Sequence, residues 1–156
     1  TNPCAEVPLD DGGACNLGSL NLSRFVENGY EAHAKINWDK LAESTAILVR
    51  FLDNVVTWNE DLNALDKQRT AARETRRLGL GVMGIADMLN QLGIGYDSED
   101  GIKLISKIMK FITNASFQAS AKLAAEKSSS PIFDEEKYML CPFIDEALTE
   151  ETKKTI

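Results

Sequence analysis

The sequence predicts an α/β layer structure in which helix predominates, on three observations. Two long stretches carry apolar residues at helical spacing, the strand-like segments are short and few, and helix and strand alternate along the chain. Two or three short strands cannot form a covered parallel sheet by themselves. They are therefore expected to belong to a sheet or barrel whose other strands lie outside this chain, which makes residues 1–156 a single partial domain.

Leu20 and Leu22 alternate with Asn21 and Ser23 in the stretch 18–26, the two-residue period of a half-buried strand. A loop through Gly29 follows. Asn37 is a suitable N-cap for a helix from Trp38 to about Asn59, with Asp39 favourably placed in its first turn. Its expected core stripe is Leu41, Leu48, Leu52 and Val55, widened by Ile47, Phe51 and Val56. From Asp66 to Arg77 there is no Gly or Pro, and a polar helix is expected. Leu78 to Gly84 reads as a short glycine-rich strand leading into a helix from about Ile85 to Leu92, stopped by Gly93 and Gly95. Ser98 caps a long helix running to about Lys127, whose Ile102, Ile105, Ile108, Met109, Ile112, Ala115 and Ala119 keep helical spacing. Beyond Ser128-Ser129-Ser130-Pro131 a short helix is expected at Asp134 to Met139, and a charged one from about Asp145 to Lys154. Met83, Met88, Met109, Phe111 and Cys141 are expected in the core.

The 156 residues are 44% hydrophobic and 26% charged, as in an ordinary globular protein. A formal net charge of -7 argues against a nonspecific nucleic-acid surface. No window approaches the roughly 18 consecutive apolar residues of a membrane span, and no charged leader precedes an apolar core, so a cytoplasmic protein without membrane contact is expected. Two glycosylation patterns, at Asn21 and Asn114, carry little weight in that setting. Three cysteines in such a chain are reduced, buried, metal-bound or catalytic rather than permanently paired. Cys4, Cys15, Cys141 and the single histidine His33 lack short metal-ligand spacing, so no metal site is expected. His33 sits in a polar stretch and reads as an exposed loop residue.

Gly79-x-Gly81-x-x-Gly84 matches the dinucleotide-binding fingerprint in letters. Its context does not: Arg73-Glu74-Thr75-Arg76-Arg77 cannot be the buried strand that precedes the first glycine, and Asp97 follows a glycine turn. The glycines read instead as positions where a strand packs closely on neighbouring backbone.

The chemistry-bearing residues stand at the start. Asn2, Cys4 and Glu6 alternate, so in an extended segment an amide, a thiol and a carboxylate share one face, and Pro3 favours that extension. Cys15 follows eleven positions after Cys4. Asn2-Pro3-Cys4-x-Glu6, then Cys15-Asn16-Leu17-Gly18-Ser19-Leu20-Asn21-Leu22, Arg50-Phe51-Leu52-Asp53-Asn54-Val55 and Arg76-Arg77-Leu78-Gly79-Leu80-Gly81-Val82-Met83-Gly84 together resemble the catalytic subunit of ribonucleotide reductase. The flavour is most similar to the adenosylcobalamin-dependent class; the alternative is a radical taken from a separate iron or manganese subunit.

The resemblance implies a ten-stranded α/β barrel threaded by a finger loop, with residues 1–15 as the catalytic loop segment. Cys4 matches the cysteine that becomes a thiyl radical and abstracts the 3′-hydrogen of a ribonucleotide. Glu6 matches the acceptor of the 3′-hydroxyl proton, and Asn2 the amide that positions the substrate hydroxyls. Cys15 matches one of two redox-active thiols, whose partner lies earlier in the family's chain. An external dithiol reductant such as thioredoxin and the remaining segments of the enzyme are the implied partners. Ala5 departs from the family's usual glycine. The phosphate-cradling loop, the allosteric region and the cobalamin-binding parts of the family are not matched, which marks the chain as a middle piece, and Thr1 has the hydroxyl that a residue following an excised intein needs. A nonenzymatic helical module that retains the sequence for assembly is the competing reading.

Overall fold

The computed structural model describes residues 8–156. Strand β1 (Asn16–Asn21) is followed by a 3-10 turn (Leu22–Phe25) and a short strand β2 (Val26–Glu27), which pairs antiparallel with β3 (Lys35–Ile36). Helices α1 (Trp38–Asn59) and α2 (Asp66–Thr75) lead to strand β4 (Leu78–Met83). Then come α3 (Ile85–Gln91), α4 (Glu99–Lys127) and three short helices, α5 (Glu135–Met139), α6 (Pro142–Ala147) and α7 (Glu150–Lys153). β1 and β4 pair in parallel, from Asn16 opposite Leu78 to Asn21 opposite Met83. A parallel pair needs a crossover, and β2, β3, α1 and α2 supply it.

Local chemistry sets most boundaries. The Asn37 side chain accepts the Lys40 N–H at 2.8 Å, and Ser98 Oγ accepts the Gly101 N–H at 3.0 Å. These bonds satisfy donors that each helix start leaves open. Asp134 caps α5 in the same way. The expected strand through Leu22 is cut short, because Asn21 Oδ1 accepts from both the Ser23 N–H and its hydroxyl and turns the chain. Both Leu20 and Leu22 are still buried, one from the strand and one from the turn.

The core lies between the β1–β4 pair and helices α1, α3 and α4. Leu20, Leu22, Phe25, Leu41, Met88, Ile108 and Ile112 form its main cluster, with Trp38 and Phe111 edge to face beside it at 4.9 Å between ring centres. Val49, Ala119 and Leu123 pack a second cluster against Leu78 and Leu80. The buried face of α1 runs through Leu41, Thr45, Val49, Leu52, Asp53 and Val56. Ile47 and Phe51, expected to widen the core stripe, point outward, because α1 carries apolar residues around more of its circumference than one sheet face covers. Ile102 and Met83 are likewise exposed, Met109 is at the edge of exposure, and Met88 is buried as expected.

The final charged helix is two helices. Asn114, buried in α4, donates to the Ala147 carbonyl at 3.1 Å and accepts the Thr149 N–H at 2.8 Å. Thr149 then caps α7 through the Thr152 N–H. Cys141, expected to pack inside, is exposed ahead of Pro142, which opens α6. His33 is exposed and lies 3.1 Å from Glu31. Among the described residues, no helix is long and apolar enough to cross a membrane.

Candidate functional site

Side chains alternate across a strand, so the β1–β4 ribbon has two faces. One carries Asn16, Gly18 and Leu20 beside Leu78, Leu80 and Val82. The helices cover it: a Cβ at Gly18 would meet Leu48 at 2.9 Å and Leu52 at 3.3 Å, and Asn16 Nδ2 donates to the Leu52 carbonyl at 3.3 Å. The other face carries Leu17 opposite Gly79, Ser19 opposite Gly81 and Asn21 opposite Met83. No helix of the described residues covers it. Leu17 is 65% exposed there and Met83 56%.

Cys15 stands at the head of β1 and belongs to this open face. A Cβ at Gly79 would come within 3.0 Å of its Sγ, 2.5 Å of Leu17 Cδ2 and 2.8 Å of the Asn16 carbonyl. Glycine at 79 is therefore what lets the thiol and the leucine lie across the neighbouring strand. The half-buried thiol also lies 3.6 Å from the Asn16 carbonyl, to which it donates. Gly79 and Gly81 sit inside β4, and Gly84 is the left-handed residue that starts α3. Gly79 and Gly81 serve strand packing, as their context predicted.

Of the four residues singled out for chemistry, Cys15 is described. Asn2, Cys4 and Glu6, with residues 1–7 of the expected 1–15 loop segment, lie outside the described residues. Among the described residues no group of three or more His, Cys, Asp and Glu side chains is gathered to hold a metal ion.

The helix-covered side holds a charge cluster whose members lie far apart in the sequence. Asp53, buried in α1, accepts from Arg76 Nη2 at 2.6 Å and from Lys127 Nζ at 2.6 Å. Arg76 also donates to the Asp53 carbonyl and to Thr57 Oγ1, and Lys127 to Asn54 Oδ1. Burial works to raise the Asp53 carboxyl, and the hydrogen bonds from Lys127 and Arg76 overcome it, holding the group below its ordinary value. Asp53 thus joins α1 to the start of β4 and to the end of α4. The sequence signal was a carboxylate between Leu52 and Val56 on a largely apolar face. Beside this cluster lies a cavity of about 1080 Å³, lined by Leu78, Leu80, Phe117, Tyr138 and the serine run.

Residues 1–154 match the family described as ribonucleotide reductase, barrel domain. The chain is 42% identical over 138 residues to the vitamin B12-dependent ribonucleoside-diphosphate reductase of Mycobacterium tuberculosis (strain CDC 1551 / Oshkosh), which covers 88% of this chain and 19% of that protein. It is 43% identical over 131 residues to the protein of the same name from Thermoplasma acidophilum, covering 84% of this chain and 16% of that one. With the ribonucleoside-diphosphate reductase subunit alpha of Chlamydia pneumoniae it shares 32% over 142 residues, 88% of this chain and 13% of that subunit. The chain thus spans less than a fifth of the length of these relatives. A family match over nearly every residue puts this chain in the ribonucleotide reductase barrel-domain family.

Proposed function

We propose that this chain is the part of a ribonucleotide reductase that carries the radical thiol and one redox thiol, converting ribonucleotides to 2′-deoxyribonucleotides once joined with the rest of the enzyme. The observation that carries the reading is Cys15 at the head of β1, laid over Gly79 on the face that helices leave open. A redox thiol that must meet substrate belongs on such a face, not under the helix layer. Residues 1–156 are one partial domain of the family's ten-stranded barrel, and 1–15 its catalytic finger-loop segment. The parallel β1–β4 pair is the portion of that barrel this chain supplies.

In this reading the Cys4 thiyl removes the 3′-hydrogen while Glu6 takes the 3′-hydroxyl proton and Asn2 holds the hydroxyls in place. The 2′-hydroxyl leaves as water. Cys15 and a partner thiol from outside this chain deliver two electrons and two protons and end as a disulfide. The 3′-hydrogen returns from Cys4, so the net change is ribonucleotide and dithiol to deoxyribonucleotide, water and disulfide. The barrel keeps water from the carbon radical. An external dithiol such as thioredoxin then restores the pair, in the cytoplasm where thiols stay reduced. Two of the similar proteins are named vitamin B12-dependent, and adenosylcobalamin would supply the unpaired electron. The described residues form no seat for it: Arg76 and Lys127 at the large cavity are committed to Asp53, and the only histidine is exposed. The cofactor is accordingly assigned to the remainder of the enzyme.

The test is deoxyribonucleotide formation by the complete reductase, with dithiol and with or without adenosylcobalamin, comparing the native protein with Cys4→Ser. Product that requires both the cofactor and the Cys4 thiol is expected. Undiminished product from Cys4→Ser would leave only the helical assembly module. Product without added cobalamin, from a protein supplied with a metal-containing partner subunit, would move the radical source to that subunit.

A further inference from the structure

We propose that two adjacent residues of α1, Leu52 and Asp53, form a clamp that holds the Cys15 thiol in place, with Asn16 and Arg76 as its positioning residues. The clamp matters for turnover on the reading that Cys15 is a redox thiol of the reaction. Contacts on the covered face of the ribbon thereby set the geometry of the open one.

Leu52 holds β1. Asn16 follows Cys15 directly, and alternation sends its side chain to the covered face. There its Nδ2 donates to the Leu52 carbonyl at 3.3 Å. Gly18 lets the strand lie this close, since a Cβ there would meet Leu48 at 2.9 Å and Leu52 at 3.3 Å. Asp53 holds the approach to β4. Arg76 donates to Asp53 Oδ1 from Nε at 2.9 Å and from Nη2 at 2.6 Å. The same Nη2 reaches the Asp53 carbonyl at 3.0 Å and Thr57 Oγ1 at 2.7 Å. These bonds keep Arg76 at φ +44°, a left-handed backbone uncommon outside glycine. Leu78, opposite Asn16, stands two residues on, and Gly79 follows it under Cys15 Sγ.

Leu52 and Asp53 are both buried, and the Arg76 side chain is largely covered. Charge-assisted bonds made away from water hold firmly, unlike ion pairs on the surface. The thiol stands on the two strands that the clamp sets. Its Sγ donates to the Asn16 carbonyl at 3.6 Å and lies where a Cβ on Gly79 would come within 3.0 Å. A shift of either strand against α1 therefore moves the sulfur relative to its floor. Reactions between held groups respond strongly to displacements of about 1 Å.

The test uses the complete reductase, reduced and free of substrate, and follows alkylation of Cys15 against that of the exposed Cys141 by peptide mass. Native protein is compared with Asn16→Ala, Arg76→Lys and Ile144→Val. Ile144 is buried in α6 and serves as a control for packing lost elsewhere. Asn16→Ala frees β1, and Arg76→Lys, which keeps the charge but not the planar fork, loosens the approach to β4. Each should raise the Cys15 rate at least about threefold with Cys141 unchanged. Each should also lower kcat at least about tenfold while the nucleotide KM stays within about twofold. Ile144→Val should leave the Cys15 rate and kcat native. A Cys15 rate that is unchanged or falls in Asn16→Ala overturns the proposal. So does an equal rise in Ile144→Val, which would be general loosening. Native kcat beside a raised Cys15 rate overturns it too, because the thiol would then work from either place. Should Asn16→Ala fail to fold, Arg76→Lys decides on the same readings. Cys15→Ser run alongside separates the two levels: turnover surviving that change defeats the functional reading itself, while the alkylation rates still judge the clamp.

Discussion

The two faces of the β1–β4 ribbon are built by opposite rules. On the covered face Asn16, Gly18, Leu20, Leu78, Leu80 and Val82 meet helices, and the one buried carboxylate nearby, Asp53, is matched by two cations. On the open face a thiol, a hydroxyl and an amide stand beside two glycines, with no helix of the described residues over them. The first arrangement maximises burial and leaves its polar groups satisfied. The second leaves reactive groups accessible at a cost in burial, which suits a site completed by other parts of an enzyme. The strand Asn16–Asn21 is only six residues long, so the same strand serves both purposes by alternation alone.

The comparison predicts different failures on each side. Asp53→Ala should give the largest loss of stability, on the order of 3 kcal/mol, since Arg76 and Lys127 would be left facing each other without their carboxylate. Urea unfolding of the two proteins measures it. A loss below about 1 kcal/mol would show that the cluster is not what ties α1, β4 and α4.

Acid should act on the same cluster. Asp53 has a depressed carboxyl, so its contribution is present above the ordinary carboxylate value of about 4 and disappears as pH falls through the lower folded value. The exposed carboxyls Asp11 and Glu126 are also lowered, chiefly by hydrogen bonds from Lys67 and Arg50, and they remain in the variant. The stability gap between native protein and Asp53→Ala should therefore narrow below about pH 4. A constant gap would contradict an ionised Asp53.

Gly79→Ala probes the open face. The added methyl meets the Asn16 carbonyl and the Cys15 sulfur, and the backbone contact cannot rotate away. A stability cost of about 1–2 kcal/mol should accompany a fall in turnover on the order of 100-fold in the complete enzyme. Equal turnover would mean that the position of Cys15 does not matter. The smallest effect should come from Cys141→Ser: this thiol is exposed, so stability should stay within about 0.5 kcal/mol and turnover should not change.

Which of these features the sequence disclosed follows from the range of the forces involved. Helix starts at Asn37, Ser98 and Asp134 were legible because a cap is a bond between residues three apart. The break between α6 and α7 was not, because Asn114 makes it from 33 and 35 positions away. The outward turn of Ile47 and Phe51 was hidden because periodicity shows that a helix is amphipathic, not how wide a face its neighbours cover. The role of Asp53 was hidden because its partners lie 23 and 74 residues on. Cys15 stands out in the letters as a thiol, and the packing role of the glycines was readable because the absence of a side chain shows there too. That Gly79 lies under that very thiol required the parallel register.

The most direct test of the open face as the reacting one is thiol counting after a single turnover. The complete reductase is reduced, freed of external dithiol, given substrate and cofactor, then alkylated and digested. Cys15 should lose alkylation in step with the deoxyribonucleotide formed, while Cys141 stays fully alkylated. Product formed with Cys15 still fully alkylated would contradict the account.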